Sequence, residues 1–211
     1  MRAPRRRVWD ISPVLQPGMP VWPGDSPYTQ ERTLIIGPDC PVNVSRLSLS
    51  THTGAHTDAP FHYDANGASM AEVDLEIYLG ECRIIHAIGA SRVELSHLAG
   101  RLDDVPERVL CRTYQSSPMG SWDSAFASVS PEVIAALDEA GVRLVGIDTP
   151  TLDPEASMEM LAHKAVMQAG MAIIESVVLD EVVEGDYELI ALPLKMAGSD
   201  ASPVRAILRA I

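Results

Sequence analysis

The sequence predicts one α/β domain built on a substantial mixed sheet, and three observations carry that expectation. The 211 residues, 46% of them hydrophobic, suffice for one sizeable core, and no repeat, low-complexity run or Gly/Ser linker divides them. The first half is rich in short β-type runs. The second half alternates helical spacing with apolar strands, as layered α/β domains do.

Taken in order, the chain opens on MRAPRRRVWD. Consecutive arginines there resemble a targeting signal, but Asp10, Pro13 and Pro17 occupy the place of an apolar signal core. Residues 1–8 therefore read as a flexible solvated tail and 9–211 as the single domain. Thr33–Ile36 is a short apolar run. Val44–Thr51 alternates, with Leu47, Leu49 and Thr51 on one face and Arg46, Ser48 and Ser50 on the other. Cys82–Ile88 and Arg108–Tyr114 are two further strands. Ser130 followed by Pro131 is a helix start, with Val133, Ile134 and Leu137 at helical spacing and Gly141 as the stop. Val142–Asp148 then reads as a strand, 154–169 as a helix ending at Gly170, and Met171–Glu175 as the next strand. Tyr187–Leu192 and Val204–Arg209 complete the sheet.

A net charge of −13 repels phosphate backbones, which excludes nucleic acid as a partner. No apolar run approaches the roughly 18 residues that span a bilayer. Cys40, Cys82 and Cys111 are odd in number and widely spaced. They read as buried free thiols of a reducing, cytoplasmic compartment.

Three of the six histidines fall within HTGAHTDAPFH, residues 52–62. On a helix Asp58 would lie about 200° around from His56, at roughly 100° per residue, and Gly54 and Pro60 oppose a helix. In a straight strand His52 and His56 share a face but sit roughly 13 Å apart at about 3.3 Å per residue. Convergence needs a curled backbone, which Gly54 permits, on a bent loop leaving the strand that ends near Thr51. Two imidazoles and a carboxylate suit zinc, manganese or iron; a hydrogen-bonded polar loop is the other reading of the same residues. The spacing is not the H-E-x-x-H of helical metalloproteases. His62 continues the cluster as a further ligand or a general acid/base.

Of the other histidines, His86 reads as a packing residue inside a strand and His97 as an exposed residue of a polar helix. His163 lies on the helix MEMLAHKAVMQAG. Glu175 ends the run MAIIE, where a carboxylate is costly unless paired or metal-bound. Trp22 sits in PVWPGDSP, a rigid proline-rich loop.

HTGAHTDAPFH matches the H-x-G-T/A-H-x-D-x-P-x-H signature of the cyclase family of metal-dependent hydrolases. WDISPVLQPGMPVWPGD, WDSAFASVSPEVI, RLVGIDTPTLDP and YELIALPLKMAGSDASPVRAILR resemble, within it, the bacterial kynurenine formamidases (arylformamidases), from about Trp9 to the C-terminus. The resemblance implies a swivelling β/β/α fold and a homodimer. It also implies two divalent ions per subunit, zinc first and manganese second. His52, His56 and Asp58 would hold one ion; Asp58, His163 and Glu175 would hold the other, with Glu175 reaching both. His62 would move protons and Trp22 would contact substrate. The implied reaction is hydrolysis of N-formyl-L-kynurenine to L-kynurenine and formate. Zinc makes hydroxide available near neutral pH, a carboxylate's two oxygens can span an ion pair, and no G-x-S-x-G elbow offers a serine route. The rivals are a family hydrolase of cyclic amides such as isatin, and a non-catalytic metal-binding protein. The chain departs from the family at Leu161 and Lys164, where an aspartate and a second histidine are frequent. That leaves open what supports the His163 ring.

Overall fold

The computed structural model describes residues 6–211. Its strands are β1 (Val8–Asp10), β2 (Thr29–Leu34), β3 (Val44–Ser48), β4 (His56–Asp58), β5 (Leu79–His86), β6 (Arg92–Val93), β7 (Arg108–Arg112), β8 (Ser128–Val129), β9 (Leu144–Ile147), β10 (Ala172–Glu175), β11 (Gly185–Ile190), β12 (Ala201–Pro203) and β13 (Ile207–Arg209). The α-helices are α1 (Leu95–Leu98), α2 (Pro131–Glu139) and α3 (Leu161–Ala169). Nine strands form one mixed sheet in the order β1-β13-β11-β5-β7-β9-β10-β4-β12. Its centre, β5-β7-β9-β10, is parallel, and both flanks are antiparallel. The expected α/β fold with a mixed sheet is what forms. Pairing begins at Val8 against Arg209, inside the segment read as a tail; residues 1–5 of that segment lie outside the described residues.

Alternate residues of the central strands feed two cores. Ile84, Leu110, Leu144 and Ile174 pack on one face of the sheet. Ile85, Val109, Val145 and Ile173 pack on the other, against Val133, Ile134 and Leu137 of α2 and Ala162 and Val166 of α3. Strands buried on both faces read as unbroken apolar runs, as parallel strands do.

Ser130 caps α2 by accepting from Val133 N at 3.3 Å, and Pro131 is its first residue. The helix expected over 154–169 begins only at Leu161, because Met160 takes a left-handed backbone (φ 48°) that helical residues cannot share. β1, β4, β6, β8 and β12 were not anticipated as strands. Two further readings change. Thr33–Ile36 and Val44–Thr51 contribute to a β2–β3 hairpin whose strands are exposed on both faces, so the alternation there does not mark a buried face. Cys40 is half-buried, while Cys82 and Cys111 are buried as expected; all three are free thiols.

Candidate metal centre

The chain enters the centre at Gly54. Its φ of +67° favours glycine, and a Cβ there would also push against Leu15 Cδ2 at 2.5 Å, so that side chain would have to move. This curl brings the His52 and His56 ring centroids to 4.9 Å, far inside the spacing of an extended chain. The residues after the curl do not stay in a loop, as the sequence reading had them. His56–Asp58 become β4, paired on one side with β10 and on the other with β12. Period-2 geometry sends His56 and Asp58 to one face, and the register sets Glu175 opposite His56. A 3₁₀ turn, Pro60–His62, then folds His62 back toward the cluster, and its ring centroid lies 4.4 Å from that of His52. His163 arrives from the first turn of α3.

All five expected ligands converge, and the two carboxylates lie between the imidazoles. Asp58 Oδ1 is 3.2 Å from His52 Nδ1 and 3.6 Å from His56 Nε2, while its Oδ2 is 3.5 Å from His163 Nε2. Glu175 Oε2 is 3.3 Å from His56 Nε2, and its Oε1 is 3.7 Å from His163 Nε2. Each carboxylate thus turns one oxygen toward His56 and the other toward His163.

The imidazole nitrogens facing away from this centre are held. His56 Nδ1 donates to the Gly54 carbonyl at 2.9 Å. His52 Nε2 meets Asp200 Oδ2 at 3.0 Å, and His163 Nδ1 meets Asp153 Oδ2 at 2.7 Å. Such partners fix tautomer and ring orientation at metal-binding histidines. Asp153 also accepts from Ala162 N and His163 N, so one carboxylate caps α3 and orients its histidine. It supplies the support that Leu161 and Lys164 do not.

A fit test for a cation lies in what is left over. The buried side-chain polar atoms without a hydrogen-bond partner among the described residues are Thr53 Oγ1, His56 Nε2 and both oxygens of Asp58. Three of these four face the same centre. Stranding such atoms is expensive unless a ligand completes them, and nitrogen and carboxylate donors suit a divalent ion. His52, His56 and Asp58 offer ligand atoms within 4.8 Å of one another, as do Asp58, His62 and His163, and His52, His62 and Asp200. His62 therefore has the geometry of a ligand as well as that of a proton carrier. Electrostatics agree that the centre wants positive charge. Burial opposes a charged His163, yet Asp153, Asp58 and Glu175 outweigh it and raise its pKa from 6.5 to about 10. His52 is likewise disfavoured by burial but raised to about 9 by Asp58 and Asp200. Burial alone would raise Asp58; the surrounding imidazoles instead hold it well below its ordinary range.

The centre forms the floor of a cavity of about 610 Å³. Parallel strands β7, β9 and β10 run out into its lining residues Tyr114, Asp148 and Glu175, the end of a parallel sheet where ligands commonly bind. Trp22 lines it, 37% exposed, with its ring edge-on to Trp122 at 5.4 Å. His86 and His97 stay outside: His86 Nε2 donates to the Val182 carbonyl, and His97 Nδ1 closes a capping box with Glu94. His97 is half-buried rather than exposed, because it folds back onto its own helix start. Sequence reasoning missed Asp153 and Trp122. An aspartate placed before a helix start was the available signal for the first.

The Cyclase family profile matches residues 9–154, more than half of the chain, and the chain belongs to that family. It is similar over 98% of its length, at 30% identity and a TM-score of 0.82, to a "potential metal-dependent hydrolase with cyclase activity", of which it covers 98%. A "predicted metal-dependent hydrolase from Bacillus stearothermophilus" matches 97% of the chain and 98% of its own length, at 30% identity and TM-score 0.80. Isatin hydrolase A from Labrenzia aggregata matches 97% of the chain and 94% of its own length, at 25% identity and TM-score 0.84.

Proposed function

We propose that this chain hydrolyses N-formyl-L-kynurenine to L-kynurenine and formate with two divalent ions, zinc fitting the donor set best. The observation that carries the two-ion part of this reading is the pair Asp58 and Glu175, each presenting separate oxygens to His56 and His163. His52, His56 and Asp58 would hold one ion and Asp58, His163 and Glu175 the other. When bound, such ions polarise a carbonyl oxygen and make water a competent nucleophile near neutral pH. The chain's own part is positional. Asp200, Gly54 and Asp153 fix the imidazoles. His62, near Asp200 and partly open to the cavity, delivers a proton to the aryl amine as the amide C–N bond breaks and water's oxygen joins the formyl carbon. Trp22 bears on the substrate's ring. The proline-rich WPGD segment and the C-terminal block, both similar to the formamidases, support a linear aryl formamide.

The likeness to isatin hydrolase A supports a second reading, a cyclic amide such as isatin. Assays of the zinc-loaded protein on both compounds separate the two. Faster turnover of N-formyl-L-kynurenine is expected, the reverse order would favour the cyclic amide, and turnover of neither would point to a metal-binding role without catalysis.

The expected homodimer has its support in the β2–β3 hairpin. Leu34, Ile35, Ile36, Val44 and Leu47 are all exposed there. Residues 29–48 balance Glu31 and Asp39 against Arg32 and Arg46 on a chain of net charge −13, so two copies repel least at this arm. Light scattering should give a dimer that Leu47→Glu weakens; an unchanged dimer in that variant would place the interface elsewhere. Among the described residues no helix is long and apolar enough to cross a membrane, and three unpaired thiols fit a cytoplasmic setting.

A further inference from the structure

Two loops, 13–25 and 115–125, wall the cavity above the metal centre, and the second is pinned from behind. Ser117 N and Oγ donate to the Asp180 carboxylate at 3.0 and 2.7 Å. Trp122 Nε1 donates to Glu155 at 3.2 Å. The Trp122 ring stands at 77° to Trp22, with Phe126 packed 6.0 Å behind it. The next residue, Asp123, accepts from the Tyr114 hydroxyl at 2.9 Å and from Ala125 N at 3.0 Å. Each carboxylate oxygen keeps a second acceptor site free. Across the cavity the facing loop adds Asp25. Among the described residues the lining contains no lysine and no arginine.

We propose that Trp122 and Asp123 are specificity residues. Trp122 holds the substrate's aromatic ring beside Trp22, and Asp123 receives a positively charged amine on the ring's side chain. This rests on the reading of the site as one for aryl formamides, and it names which part of such a substrate is recognised. A charge-assisted hydrogen bond to an ammonium is stronger than a neutral one. A side-chain carboxylate finds no cation on these walls and is left to solvent. The cavity thus favours cationic or zwitterionic aryl amides and disfavours anionic ones, selecting by repulsion as much as by attraction.

The test compares three linear formamides on the zinc-loaded protein: N-formyl-L-kynurenine, its decarboxylated analogue, which keeps only the ammonium, and its deaminated analogue, which keeps only the carboxylate. The decarboxylated compound should match or exceed the parent in kcat/KM. The deaminated one should fall about 10- to 100-fold, the range for a lost hydrogen bond to a charged group, mainly through KM. Asp123→Asn should shrink the gap between parent and deaminated compound. Trp122→Ala should raise KM for all three, with Trp122→Phe restoring part of the loss. Equal turnover of parent and deaminated compound by the wild-type protein would overturn the proposal while leaving the formamidase reading intact, and this comparison needs no variant to fold. A gap that survives Asp123→Asn would also overturn it. Turnover of none of the three would overturn both.

Discussion

At the floor of the cavity His163 and Glu175, and His56 and Asp58 packed against them, are each no more than 2% exposed and stand on sheet strands or the first turn of a helix. At its walls Trp22, Trp122 and Asp123 stand on irregular loops and are partly open to solvent. The floor's rings are each held by a carbonyl or carboxylate behind them, so their nitrogens are fixed before any ligand arrives. The walls are held by aromatic edges and by a few side-chain anchors. On the proposed function the contrast assigns different tasks: the buried floor would set which ions bind and which chemistry follows, and the loop-borne walls would set which substrate. Substitutions in the floor should cost orders of magnitude, and substitutions in the walls should alter preference by far less.

The largest effect is expected from Asp58→Asn. Losing its charge removes the group that faces His52, His56 and His163 together, so elemental analysis should find both ion positions depleted and turnover abolished. Loss of one equivalent only would argue against a shared ligand. His62→Ala should retain its metals and lose on the order of 10²–10⁴ in kcat, the range for a general acid/base; a metal-depleted variant would make His62 a ligand instead.

Asp153→Asn should weaken metal binding by about 10- to 100-fold, as loss of a histidine's outer partner does. It also carries a pH signature. His163 is raised from 6.5 to about 10, so its protonated form stabilises the metal-free fold fully below pH 6.5. That contribution is lost as pH climbs through about 10. The urea midpoint of the metal-free protein should therefore fall over that window, and Asp153→Asn should flatten the fall. An identical pH profile in the variant would remove Asp153 from this role. The smallest effect belongs to the wall. Trp22→Ala should raise KM for N-formyl-L-kynurenine by roughly 2- to 10-fold, the equivalent of one aromatic contact, with metal content unchanged. A large drop in melting temperature would make Trp22 structural.

Local patterns in the sequence foretold more of the floor than of its supports. Gly54 was legible as the curl because no extended or helical geometry gathers His52, His56 and Asp58. What stayed hidden was pairing at a distance. That β4 would lie between β10 and β12, setting Glu175 opposite His56, depends on register between segments more than 100 residues apart. Asp200 supports a ring 148 residues away in sequence, which no spacing rule reaches, and Asp153, 10 residues from His163, is marked only by its place ahead of a helix. The β2–β3 hairpin misled in the opposite sense. Its alternation is that of a half-buried strand, yet no other part of the described chain covers it.

Zinc titration into metal-free protein, read as the initial rate on N-formyl-L-kynurenine, tests the central claim most directly. Turnover should be absent without metal, rise with added zinc and level off at two equivalents per chain. Full turnover by rigorously metal-free protein, or a plateau at one equivalent, would contradict a centre shared through Asp58 and Glu175.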